Sequence, residues 1–138
     1  MQLTTEIYQR IVSAKVYIDD NYQESISLEQ ISQKAFLSRF HFHRLFRRIY
    51  KKTPLEYITK KRIDKAKILL SENKSVSEVC NEVGFESIGT FSNLFKKEIG
   101  FPPTYYRNIA WLKKQEAKEQ PKKFIPGCFI DSYGLDKI

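Results

Sequence analysis

The chain repeats itself, and that repeat limits the fold more than any other feature. Ser75-Val76-Ser77-Glu78 restates Ser27-Leu28-Glu29-Gln30, and Ile31 and Ala35 recur as Val79 and Val83, all 48 residues on. One residue is then inserted. After it, Ser38, Phe42 and Leu45-Phe46-Arg47-Arg48 recur as Ser87, Phe91 and Leu94-Phe95-Lys96-Lys97, and Pro54 and Tyr57 recur as Pro103 and Tyr106. Helix-start residues, apolar stripe, basic pair and following proline keep their order in both copies. Such a pattern is what two units of one supersecondary structure produce.

Each copy reads as two short helices across a tight turn. Ser27 and Gln30 have the spacing of a capping box, and Ser75 and Glu78 repeat it. Leu28, Ile31 and Ala35 recur at helical spacing, which predicts a short helix to about Ala35. Ser38 then caps a second helix with Phe42, Leu45, Phe46 and Ile49 at i, i+3, i+4, i+7. Two such helices form a helix-turn-helix. The second copy runs from Ser75 to Ile99 and buries Phe91, Leu94, Phe95 and Ile99. Gly84 closes its first helix, free to take positive φ, and Gly100 ends its second.

The second helix of each copy has an outward face. At about 100° per residue, Phe40, His43, Arg44 and Arg47 lie opposite the apolar stripe, with Arg39 at the helix start. Arg can bond guanine through two hydrogen bonds, and Phe can touch the thymine methyl. A solvated basic face with one exposed Phe would look the same in a single copy. The recurrence of a basic pair on the same helix in the second copy favours a surface that reads DNA. There the outward residues are Gly89, Ser92, Asn93 and Lys96, with Ile88 and Thr90 beside them and Ser87 as the cap.

The remaining segments fit around these units. Thr5 is a candidate cap for a first helix with Ile7, Ile11, Ala14 and Ile18 on one stripe, ending near Asn21. Thr53-Pro54-Leu55-Glu56 starts a long helix, predicted to run from Pro54 to about Leu70 without an internal proline or glycine. It links the units and is expected to set their spacing, and its basic residues Lys60, Lys61, Arg62, Lys65 and Lys67 read mainly as a solvated face, with phosphate contact by some as the alternative. Pro103 starts a short closing helix with Tyr105, Tyr106, Ile109 and Trp111. Residues 112–138 are charged from Lys113 to Lys123, a stretch that extends the closing helix or frays, with Pro121 and Pro126-Gly127 as breaks, and apolar at Phe124, Ile125, Phe129, Ile130 and Tyr133. That tail is expected to pack back on the domain, with partner binding as the alternative.

Composition narrows the function class. Net charge is +8 over 138 residues, with 41% hydrophobic residues, so the chain can build a core and favours a polyanionic partner. No apolar run approaches the length of a membrane span, and no signal-peptide pattern opens the chain. A cytoplasmic, nucleoid-associated location is the expectation. Cys80 and Cys128 are too few for a zinc site or a disulfide framework, and Cys80 falls at a core position. His41 and His43 are i, i+2 and do not share a helix face as a zinc-binding pair does. With no phosphate loop and no nucleophile elbow, neither an enzyme nor a cofactor is expected.

Ile26-Ser27-Leu28-Glu29, Ser38 and Phe46-Arg47-Arg48 resemble the first half of the AraC/XylS-type DNA-binding domain. Val79, Gly84-Phe85, Phe95-Lys96-Lys97, Gly100, Pro103 and Tyr106-Arg107 resemble its second-half signature. The resemblance covers about residues 4–110. It departs at Phe36, where the first turn often has Gly or a small polar residue, at Lys51, where Gly commonly ends the first recognition helix, and at Cys80, where Ala is usual. It implies about seven helices and a bacterial transcription regulator, usually an activator, with two recognition helices in successive major grooves about 34 Å apart.

The expectation is therefore an all-α chain. Residues 1–111 form the DNA-binding domain, with helix-turn-helix units at 27–50 and 75–99 and a linker helix at 54–70. Its partner is double-stranded DNA, gripped by one monomer, with RNA polymerase as the protein partner. Two rivals are an architectural DNA binder with little sequence preference and a protein-interaction module built on the tail. The operator, the inducing signal, and whether the chain stands alone or ends a longer protein do not follow from the sequence.

Overall fold

The computed structural model describes residues 3–119. Among them are seven helices and no strand: α1 (Thr5–Asn21), α2 (Leu28–Lys34), α3 (Arg39–Tyr50), α4 (Pro54–Ser71), α5 (Val76–Glu82), α6 (Ile88–Ile99) and α7 (Pro103–Glu119). The chain divides between Arg62 and Ile63 into two compact units. The apolar tail from Phe124 to Tyr133, and Cys128 with it, lies outside the described residues.

The first unit is built on the α1 stripe. Ile7, Ile11, Ala14 and Ile18 are buried together with Ile31 and Ala35, the α3 residues Phe42, Leu45 and Phe46, and Ile58 of α4. Phe46 centres an aromatic group, with ring centroids 5.5 Å from Phe42, 4.6 Å from Tyr50 and 5.5 Å from Tyr57. Ile49, a stripe residue, is half-buried.

The second unit repeats the plan with different helices. Ile63, Ala66, Leu69 and Leu70 from the later half of α4 pack with Val79, Cys80 and Val83, with Phe91, Phe95 and Ile99 of α6, and with Tyr106 of α7. Leu94 is only half-buried. Tyr106 meets Phe95 edge-on at 5.5 Å, as Tyr57 meets Phe46 in the first unit. Cys80 is buried, and burial pushes its thiol pKa up, so it behaves as a small core residue.

Helix starts follow the side chains, with two corrections. Ser27 and Gln30 make the full reciprocal box, as do Thr53 and Glu56. At Ser75 only half of it forms: Ser75 Oγ accepts from the Glu78 N–H. The cap of α1 is Thr4, not Thr5, because a cap hydroxyl must reach the N–H three residues on, and Thr4 Oγ1 accepts from Ile7.

The two turns close alike. The Phe36 N–H donates to the Gln33 carbonyl and the Leu37 N–H to that of Ser32; Gly84 and Phe85 do the same with Asn81 and Cys80. This paired closure needs a left-handed residue at its centre. Gly84 supplies it with φ 103°, and Phe36 adopts it with φ 54°. The departure from glycine therefore leaves the turn geometry intact.

Of the two readings of the charged stretch, extension of the closing helix is the one observed. α7 has 17 residues and continues through the charged stretch to Glu119. Tyr106 is buried and Ile109 half-buried, while Tyr105 and Trp111 are 50% and 43% exposed. Lysine, glutamate, glutamine and alanine are good helix formers, so the loss of an apolar stripe does not end the helix.

Candidate nucleic-acid interface

The sequence of α3 gives it one buried and one exposed face. Ser38 caps it, accepting from the His41 N–H at 3.2 Å, and Phe42, Leu45 and Phe46 point into the core. Helical geometry then forces the residues between them outward. Arg39, Phe40, Arg44 and Arg47 are exposed and His43 is half-buried, with Phe40 80% exposed. Phe40, His43, Arg44, Arg47 and Arg48 line one open depression on this face. α3 carries four arginines and no acidic residue, and none of those arginines forms an ion pair among the described residues. The candidate residues of the first unit thus lie together on a cationic surface.

His43 has a second neighbourhood. It also borders a mostly apolar groove lined by Ile26, Leu28, Ile31, Thr53, Pro54, Leu55 and Ile58. The imidazole sits at the rim between the basic face and this apolar strip.

α6 presents a different surface. Ser87 caps it through the Thr90 N–H, and Phe91, Phe95 and Ile99 are buried. Ile88, Gly89, Thr90, Asn93 and Lys96 are exposed and Ser92 is half-buried. Among the described residues a Cβ at Gly89 would meet only Ser87 Oγ, at 3.6 Å, so their packing does not require glycine there. Within α6, Lys96 and Lys97 are balanced in part by Glu98.

Two arginines absent from the candidate set support these helices. Arg62 donates to the carbonyls of Tyr22 at 2.7 Å and Glu24 at 2.9 Å, just before the Ser27 cap. Arg107 donates to the carbonyls of Lys74 at 2.8 Å and Asn73 at 3.3 Å, just before the Ser75 cap. Each guanidinium holds the loop that leads into its helix-turn-helix. Arg62 is thus not part of a solvated face, as the basic run of α4 suggested. Its partners lie 38–40 residues away, a distance at which local spacing carries no signal. Arg107 belongs to a motif visible in the sequence, although its role was not.

A buried-edge network braces α3 from behind. Tyr57 Oη donates to Asp19 Oδ1 at 2.7 Å, and Asp19 also pairs with Lys15 at 2.8 Å and Lys61 at 3.4 Å. Burial pushes the Asp19 carboxyl upward, but the bonds from Lys15 and Tyr57 outweigh it and hold it below its usual value. Burial and then the bond to Asp19 push Tyr57 up to about 12.

Comparisons with known proteins place this geometry. The family model of a helix-turn-helix domain matches residues 31–109. The probable transcriptional regulator LumQ of Photobacterium leiognathi is 38% identical over 92 residues, which is 66% of this chain and 37% of LumQ. The transcriptional activator AarP of Providencia stuartii is 32% identical over 105 residues, 75% of this chain and 78% of AarP. The DNA-binding domain of the global transcriptional factor AdpA, solved in complex with a target DNA, superposes with a TM-score of 0.69 at 25% identity, covering 81% of this chain and 96% of that domain. The chain spans less than half the length of LumQ.

Proposed function

The chain belongs to the AraC-type helix-turn-helix family, and from that premise we propose that it is a sequence-specific transcription regulator, an activator, that grips double-stranded DNA with α3 and α6. The observation that carries the reading is the α3 face: an exposed Phe and a cluster of arginines without ion-pair partners among the described residues, on a helix whose other side buries Phe42, Leu45 and Phe46. Arg39, Phe40, His43, Arg44 and Arg47 read or grip one groove. Ser87, Ile88, Gly89, Thr90, Ser92, Asn93 and Lys96 meet the next. Arginine reads guanine and Phe reads the thymine methyl, while lysines and helix N-termini meet phosphate.

A monomer carries both units and can fill an asymmetric site without a two-fold partner. RNA polymerase is the protein partner that activation requires, and the nucleoid is the place of action. Selection of bound sequences from a random DNA pool tests the reading. A recovered consensus with two blocks one helical turn apart supports it. Equal retention of all sequences, controlled only by salt, points instead to an architectural binder. Failure to retain DNA at physiological salt points to the interaction module.

A further inference from the structure

α3 is flanked by two side chains that the turn geometry does not ask for. Phe36, in the turn before it, has φ 54°, and Lys51, at its C-terminal cap, has φ 62°. The matching positions in the second unit are Gly84 with φ 103° and Gly100 with φ 96°. Left-handed backbone is open to glycine and unfavourable for a residue with a Cβ. The turn bonds of Phe36 and Leu37 are backbone bonds, which glycine at 36 would make equally well. The Phe36 ring is 80% exposed and joins no core cluster. Lys51 is exposed, and among the described residues its Nζ reaches only the Arg48 carbonyl, at 3.0 Å. A strained backbone carrying an exposed side chain suggests a function rather than a structural role.

The place of these residues says what would meet them. The 12 residues of α3 make a helix about 18 Å long, and the major groove is about 12 Å wide. A helix lying in that groove is flanked by the two sugar–phosphate strands, and residues just beyond its ends are placed beside them. Phe36 precedes the Ser38 cap by two residues, and Lys51 follows the last residue of α3. Deoxyribose offers C–H surface to a phenyl ring, and phosphate offers charge to an ammonium.

We propose that Phe36 and Lys51 are DNA-backbone contacts that the first unit has and the second lacks, Phe36 packing on deoxyribose and Lys51 pairing with a phosphate. This rests on the DNA-binding reading of α3. It gives the first unit a longer footprint than its recognition helix alone, and makes that unit the one that holds the chain on its site.

The test uses the full chain with Phe36→Gly, Phe36→Asn and Lys51→Gly, each measured for thermal unfolding and for binding to the selected operator at several salt concentrations. Glycine at either position relieves strain, so melting should rise by about 2–4 °C. Binding should weaken about threefold or more, as expected for losing a modest apolar or phosphate contact. Phe36→Gly should weaken all single-base operator variants alike and leave the salt slope unchanged, and Phe36→Asn should match it in binding. Lys51→Gly should reduce the slope by about one. Opposite signs in stability and affinity mark a side chain kept for its partner. Unchanged affinity, or a fall in melting temperature, overturns the proposal for that residue. If the unsubstituted chain fails to bind DNA, the proposed function falls as well. If it binds and the variants bind equally well, only this inference falls.

Discussion

Tyr57 and Asp19, 38 residues apart in sequence, are joined by a 2.7 Å hydrogen bond from the Tyr57 hydroxyl to Oδ1 of Asp19. The bond ties the start of α4 to α1. The Tyr57 ring lies edge-on to Phe46, at 5.5 Å, so the same residue also braces the back of α3.

This bond should appear in the pH dependence of stability. Tyr57 is raised in the folded state to about 12 from an ordinary value of 10.0. Above pH 10 the unfolded chain loses this proton before the folded one does, so stability falls as pH rises from about 10 to about 12. Asp19 is shifted the other way, held below the ordinary carboxylate value. Its contribution is present above that value and is lost as pH falls through the folded one. Tyr57→Phe should flatten the alkaline decline, and Asp19→Asn the acid one. Denaturation of each variant across pH, compared with the unsubstituted chain, reads both. An unchanged alkaline limb in Tyr57→Phe would show that the bond does not act in solution.

Phe46 and Phe95 are fully buried counterparts in the two units. Truncation of either to Ala removes a ring from a close-packed cluster and should cost about 3–5 kcal/mol. Chemical denaturation measures it. A loss below about 1 kcal/mol at either position would contradict the shared register of the units.

Arg44 and Lys96 should fail differently. Arg44 sits in the depression beside Phe40 and His43, placed to bond a base edge, which is worth about 1–3 kcal/mol of discrimination. Arg44→Ala should relax preference at about one base position and leave the salt slope nearly unchanged. Lys96→Ala should weaken all sequences and lower the slope by about one. Binding to a panel of single-base operator variants at several salt concentrations separates the two. An equal loss across the panel for Arg44→Ala would make it a phosphate contact.

Gly89 has room for a methyl group in the free protein. Gly89→Ala should therefore stabilise α6 by about 0.5–1 kcal/mol. If DNA backbone or base edges approach the helix at Gly89, the same change weakens binding. Greater stability with unchanged affinity would place Gly89 away from the DNA.

The expected positions that moved did so for physical reasons. The first cap shifted from Thr5 to Thr4 because both are threonines, and only the three-residue reach to the Ile7 N–H chooses between them. Phe36 and Lys51 broke the glycine rule without breaking the turns, since backbone bonds from Phe36, Leu37 and Lys51 hold the left-handed conformation in place.

What the sequence determined by itself was periodic and local. Serine caps, apolar residues at i, i+3, i+4, i+7 and the duplicated order of both were enough to locate the helices and both faces of α3 and α6. Each of those signals acts over one or two helical turns, so the chain carries it in the open. Tertiary structure alone decided which charges were left for a partner. Arg62 and Lys61 look like their neighbours in the basic run of α4, yet Arg62 is spent on the Tyr22 and Glu24 carbonyls and Lys61 on Asp19. The arginines of α3 form no ion pair among the described residues, Arg47 acting on Glu56 only through its field. The difference arises because a guanidinium or ammonium is claimed by whatever acceptor the folded chain brings near it. Across 38 or more residues, only the packing of α1, α2 and α4 determines that acceptor.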